Sequence, residues 1–339
     1  MPPNPLDTLA TSHHICALAR ANHLTHRALE YALRRIGTVP DIHAWQRFID
    51  NMLLLLGTAL LLVGIIFFFA YNWADMSHFT KFGVLEAGVL SAALFASWRG
   101  LERLSGQAAL LAAAVLLGGL LAVYAQVYQT GADVFELFLT WAIFIIPWVL
   151  LGAFAPLWLL LLVLLNLSLL LYWDQVINPS HSDLRTDLFL LVFLLNGAAM
   201  LAFEFVQTRG VAWLQNHWMR VIIFGAILTV LIIPTLQAIF ETRGGGSKYQ
   251  LLAVAAVLYM AVTALSLWYY RYRRHDLLLQ AMCLLGVLIV VTTLVGKLLP
   301  LDAAISWLIL AIVIIGQAAL ATKWLLQTAK TWQEEANND

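Results

Sequence analysis

Beyond about residue 50 the chain is a succession of long apolar runs, broken by short polar intervals at nearly regular spacing. A hydrocarbon core of about 30 Å needs roughly 20 helical residues at 1.5 Å rise each. At that length the uncharged intervals predict ten transmembrane helices, near 52–71, 81–98, 106–128, 134–153, 156–173, 188–206, 220–240, 250–270, 277–296 and 303–322. The interval between Glu136 and Asp174 carries no charge and is too long for one crossing; Gly152 and Pro156 divide it into a tight hairpin. Asp187, Asp276 and Asp302 stand just ahead of spans, where a carboxylate accepts the orphan amide protons of a helix start.

Before the first span, Leu29, Leu33 and Ile36 recur at helical spacing, Thr25 sits at a cap position, and Gly37 with Pro40 ends the helix. The predicted fold class is therefore all-α. A cytosolic amphipathic helical segment over 1–48 leads into a polytopic transmembrane bundle over 49–325, followed by a polar cytosolic tail over 326–339. The N-terminal segment is too short to bury a core alone, so it is expected to lie on the membrane domain or meet a protein partner.

The second span is the weakest, being short and carrying Glu86, and the basic residues supply an independent check on it. With ten spans and a cytoplasmic N-terminus, fourteen Lys and Arg fall inside and five (Lys81, Arg185, Arg243, Lys248 and Lys297) outside. Deleting the second span leaves nine inside against ten outside, which is no bias. Ten spans with both termini inside is the expected topology. Trp73, Trp98, Trp173, Trp218, Trp268 and Trp324 fall at predicted span ends, as an interfacial belt does.

Composition agrees and narrows the function classes. The chain is 62% hydrophobic and 11% charged, against about 25% charged residues in a soluble domain. Nineteen basic and nineteen acidic residues leave no field that would draw nucleic acid. The two cysteines, Cys16 and Cys283, make no disulfide framework. His13, His14, Cys16, His23 and His26 lack a second ligand pair at zinc spacing, so neither a metal site nor a cofactor is expected. The start has no basic region followed by an apolar one, which leaves insertion to the first span. There is no Gly-rich phosphate loop, HExxH pair or GxSxG elbow, so a primary pump or ordinary hydrolase is not expected. No repeat relates the first five spans to the last five.

Candidate chemistry gathers at the predicted outer face. Residues 122–144, AVYAQVYQTGADVFELFLTWAIF, turn polar without one Lys or Arg. Gln126 and Gln129 are three apart, Tyr124 and Tyr128 four apart, and each pair shares a helical face. Asp133 with Glu136 has the spacing of a capping box, an explanation that needs no ligand. Tyr71 and Asn72 end the first span, and Glu86 lies one to two turns inside the second, where an unpaired carboxylate is costly. Tyr71, Asn72, Glu86, Gln126, Tyr128, Gln129, Asp133 and Glu136 are the expected binding residues; no catalytic residue is assigned. Two carboxylates among amides suit a cation, a proton or a hydroxyl-rich lipid head group better than an anion. Asn166 and Asn196, near the middle of their spans, are expected to bond neighbouring helices, and Glu204 to pair with Arg209 or Arg220.

FFFAYNW at 67–73 and AQVYQTGADVFELFLTWAIFIIPW at 125–148 resemble an uncharacterised bacterial inner-membrane family, a domain of unknown function of the predicted membrane protein type. The resemblance covers about residues 10–155 and is most specific at YQTGAD. It implies a bacterial cytoplasmic membrane and brings no substrate or catalytic residue. The reading favoured by the sequence is a secondary transporter or lipid-handling permease with an outward-facing polar site. The alternative is a non-catalytic envelope scaffold that binds a partner, and third comes an intramembrane lipid-head-group transferase, for which only Lys81 and His78 lie nearby.

Overall fold

The structure is a computed structural model and describes residues 12–20, 24–35, 42–72, 76–129, 131–177, 186–209, 217–241, 247–300 and 304–338. Every regular element among them is helical. Ten of the helices are long and apolar enough to cross a membrane, as the hydropathy pattern predicts. Trp73, Arg185, Gly37, Pro40, Asp302 and the segment 242–246 lie outside the described residues.

The chain divides into two compact units, Met1–Leu116 and Leu117–Asp339. The first holds α1 (Ser12–Arg20), α2 (His26–Arg35), α3 (Ile42–Asn72), α4 (His78–Arg99) and the start of α5 (Leu104–Tyr128). Thr25 Oγ1 accepts the Ala28 amide at 3.3 Å and so caps α2 as expected, while Glu30 and Arg34 pair at 2.7 Å one turn apart. No residue of α2 is buried, consistent with a helix whose few apolar positions form no core of their own. The helix that holds the first predicted span starts earlier, at Ile42, and runs unbroken to Asn72. Ser77 caps α4, its Oγ accepting the Thr80 amide at 3.2 Å.

The second unit contains the rest of α5, then α6 (Val134–Gly152), α7 (Ala155–Tyr172), a π-helical turn (Trp173–Ile177), α8 (Thr186–Thr208), α9 (His217–Phe240), α10 (Ser247–Tyr272), α11 (Leu277–Leu298) and α12 (Ala304–Asn338). The expected break between α6 and α7 is present: Ala153 takes a left-handed conformation at φ 42° and Pro156 opens α7, where its missing N–H costs nothing. Helix α9 packs against α8, α10 and α11. Its buried positions Met219, Ile223, Phe224, Ile227, Leu228 and Leu231 follow helical spacing on a broad face, which suits a helix enclosed by three neighbours.

Asn166 and Asn196 join α7 to α8 as expected. Each amide nitrogen donates to the other's carbonyl oxygen, at 3.2 and 2.6 Å, and to a carbonyl four residues back, at 2.8 Å in both cases. Such interhelical bonds contribute about 0.6 kcal/mol on average in membranes, so their role is chiefly register. Helix α12 continues past the last predicted span to Asn338, and Trp332 Nε1 donates to the Arg271 carbonyl at 3.2 Å with its ring 4.8 Å from His275.

Candidate functional site

The start of α6 and the π-helical turn after α7 lie together at one end of the second unit, where the Phe135 amide bonds Gln175, and the end of α8, the start of α9 and the α10–α11 turn lie together at the other, where Arg220 meets Glu204 and Asp276. The polar residues of the α5–α6 turn sit at the first end. The Tyr124 and Tyr128 rings meet on one face of α5, centroids 4.8 Å apart and tilted by 43°, and both are exposed. Gln126 is exposed on the last turn of α5. Gln129 is exposed too, but it has left the helix, at φ 43°, so helical spacing no longer places it on the face of Gln126. Gly131, at φ 65°, completes the reversal that brings the chain back into α6.

The capping box expected at Asp133 and Glu136 does not form. Asp133 occupies the N-cap position, with extended backbone at φ −66° and ψ 153°, yet its side chain makes no cap hydrogen bond. Its carbonyl takes the Glu136 amide at 3.0 Å. The amide of Phe135 goes instead to Gln175 Oε1 at 3.2 Å, from the π-helical turn 40 residues on, and Ser168 Oγ donates to the Phe135 carbonyl at 3.2 Å. The Phe135 and Tyr172 rings meet edge to face at 5.0 Å. A π-turn offsets the helix by one residue, and such bulges recur at functional sites; here the turn delivers Gln175 to the start of α6. Asp133 and Glu136 are thereby left exposed, with Asp174 exposed in the same π-turn.

Tyr71, Asn72 and Glu86 belong to the first unit. Tyr71 is exposed in the last turn of α3, and Asn72 is the final residue of that helix, its side chain outside the described part. Glu86 is exposed on α4, next to buried Leu85, and Lys81 is buried a little over one turn earlier. Among the described residues no group of three or more His, Cys, Asp and Glu is placed to hold a metal ion.

A second polar centre, at the opposite end of the second unit, was legible only in part. Glu204 pairs with Arg220 as expected, its Oε1 lying 2.8 Å from Arg220 Nε. Arg209 does not join them; its guanidinium lies 4.4 Å over the Phe205 ring. The partners come from the α10–α11 turn: Arg274 Nη2 stands 3.1 Å from Glu204 Oε2, and Asp276 Oδ2 stands 3.7 Å from Arg220 Nη1 and 3.4 Å from His217 Nδ1. Gln207 Oε1 accepts from both Arg220 and Arg274. Asp276 also caps α11, its Oδ1 accepting the Leu278 and Leu279 amides at 3.1 and 3.3 Å. A hydrogen bond with Tyr269 raises the Arg274 guanidinium above its ordinary value. A lone charge at a span end was the available signal at Glu204 and Arg220; nothing local links them to residues more than 50 positions later.

Ten membrane-length helices in a chain of low charge define an integral, multi-pass helical membrane protein. Residues 17–158, somewhat under half of the chain, match the model of a family described as Predicted membrane protein (DUF2157), in agreement with the stretch over which the resemblance is read. No curated protein and no solved structure matches the chain.

Proposed function

We propose that this is a multi-pass protein of a bacterial cytoplasmic membrane, with both termini cytoplasmic, and that its α5–α6 turn is an outward-facing binding site in a secondary transporter or lipid-handling permease. The ligand class is a small cation, a proton or a hydroxyl-rich lipid head group. One observation carries the reading: Asp133 stands where a capping carboxylate belongs, yet Gln175 takes a helix amide in its place. The innocent explanation of the Asp133–Glu136 pair therefore fails, and two carboxylates remain exposed, a few residues along the chain from exposed Gln126 and Gln129, in a segment without Lys or Arg. That charge pattern selects for positive or hydroxyl-bearing ligands. Tyr71, Asn72 and Glu86 are candidates for the same chemistry in the first unit. The orientation rests on the excess of basic residues in the predicted cytoplasmic segments.

Two measurements test this. For the orientation, Gln129→Cys in a Cys16→Ser, Cys283→Ala background is expected to react with a membrane-impermeant maleimide in intact cells; labelling only after lysis would invert the topology. For the site, the purified full-length protein is expected to gain several degrees of thermal stability from one member of a panel of sodium, potassium, magnesium, calcium and glycosylated lipid, because a ligand that binds only the folded state adds about 2.7 kcal/mol at a hundredfold excess over Kd. Asp133→Asn, Glu136→Gln should abolish that gain. A wild-type protein that responds to none of them, or a double variant that still responds, would remove the basis for the reading.

A further inference from the structure

Helices α9, α10 and α11 pack against one another, and the buried residues of α11 are Leu279, Gln280, Cys283 and Gly286. Three of these suit an apolar interior. Gln280 does not: it is 0% exposed, and neither its amide oxygen nor its amide nitrogen has a hydrogen-bond partner among the described residues. On α10, Tyr259 and Thr263 are buried one turn apart, and neither hydroxyl reaches hydrogen-bond geometry with a described group. Tyr259 sits midway along α10 with its hydroxyl against α11, where a Cβ on Gly286 would come within 2.5 Å of it. Four polar side-chain atoms are thus enclosed in the interior that these three helices share.

Hydrocarbon cannot satisfy such groups, and a buried amide with no partner is costly enough that leucine or methionine would serve better as packing. The chemistry of the partner follows from the groups themselves. An amide and two hydroxyls both donate and accept, and none of them carries a charge. An ion of either sign would find no counter-charge here, and an apolar molecule would leave every one of these atoms unmet. Water both donates and accepts, and buried water in proteins bonds to polar groups of this kind.

A route from solvent is at hand on the same helix. Asp276 lies one turn before Gln280, its carbonyl accepting the Gln280 amide proton at 3.3 Å. Its carboxylate belongs to the charged network, which meets solvent through half-exposed His217. From Asp276 to Gly286 the helix rises about 15 Å at 1.5 Å per residue, with Gln280 and Cys283 at successive turns between them.

We propose that water enters the α9–α10–α11 interior from the Asp276 end, bonds Gln280 and reaches Tyr259, giving the second unit a hydrated half-channel that stops midway along its helices. This half-channel starts at the end of the unit opposite the α5–α6 turn and stands or falls separately from the proposal made for that turn.

The test is X-ray hydroxyl-radical footprinting of the full-length protein in detergent, in which radicals form from water and oxidise the side chains beside it, read residue by residue by mass spectrometry. Tyr259 is expected to be oxidised several-fold faster than Phe224, an aromatic residue of the same core that is 3% exposed. Gln280→Leu keeps most of the side-chain volume without the amide and should lower the Tyr259 rate several-fold while the protein still melts cooperatively. Gln280→Met, unbranched like glutamine, serves where Gln280→Leu fails to fold. Wild-type Tyr259 oxidised no faster than Phe224, or a folded Gln280 variant that keeps the wild-type Tyr259 rate, overturns the proposal. A folded variant with a lowered melting temperature and an unchanged Tyr259 rate would assign the amide to a partner within the protein, which also overturns it.

Discussion

Arg220→Leu is expected to lower the apparent unfolding temperature of the detergent-solubilised protein by about 6–20 °C, read from intrinsic tryptophan fluorescence. The side chain is 9% exposed and faces Glu204, 16% exposed, and Asp276, 9% exposed. Removing the cation leaves Asp276 with its helix-cap bonds and His217, and leaves Glu204 with Arg274 alone. Breaking a buried pair on one side costs about 3–5 kcal/mol, and in a unit of this size each kcal/mol moves the midpoint by about 2–4 °C. Leucine preserves most of the volume, so the loss belongs to uncompensated charge rather than to a cavity. Arg220→Gln combined with Glu204→Gln separates the two causes, because it removes charges of both signs and is expected to recover at least half of the loss. A single variant within 2 °C of wild type would show that the network is hydrated and contributes little, as exposed pairs do.

That network also marks where reading the sequence stops. The spans were legible because the bilayer imposes one length and one polarity on every crossing, and the Asn166–Asn196 bond because an amide in hydrocarbon must find a partner. Thr25 and Asp276 as caps, and the Gly152–Pro156 break, are likewise local: each needs only its own neighbours along the chain. What failed was not local. Asp133 has the residue type and spacing of a cap, but the competing acceptor, Gln175, arrives from a π-turn that no periodicity announces. Gln129 obeys i,i+3 spacing only while α5 lasts, and the helix ends one residue before it.

The two ends of the second unit also handle charge in opposite ways. At the α8–α9 end, two arginines and two carboxylates are matched and largely buried, an arrangement that fixes helices and leaves little for a ligand. At the α5–α6 end, Asp133 and Glu136 are exposed and no basic residue occurs in the surrounding segment. The first pattern explains itself by stability and the second does not, which is why the functional proposal rests on the turn rather than on the denser cluster of charges.

Gly106→Ala is expected to be the most disruptive single-methyl change in the first unit. A Cβ at Gly106 would lie 2.2 Å from the Gly100 carbonyl oxygen, 3.0 Å from its carbon and 3.2 Å from the Ala96 oxygen, all backbone atoms that no rotamer change can move aside. The turn they belong to is already pinned: the Gly100 amide bonds Ala96 O at 3.1 Å, Gln107 Nε2 bonds Leu101 O at 3.0 Å, and Arg99 Nε bonds Ser105 Oγ at 3.3 Å. Gly100 itself, at φ 84°, has a conformation other residues rarely adopt, so the turn has little freedom to rearrange. Overpacking of this kind costs about 1–3 kcal/mol, or about 5–20 °C in a unit of roughly a hundred residues. Gly83→Ala in α4 is the control, because nothing lies within 4 Å of the added methyl. There the better helix propensity of alanine should leave stability unchanged or raise it by about 0.5–1 kcal/mol. If the two variants melt together, the close approach of Gly106 to the end of α4 does not limit this unit; if only Gly106→Ala falls, the α4–α5 turn is the contact that sets how the second and third spans pack.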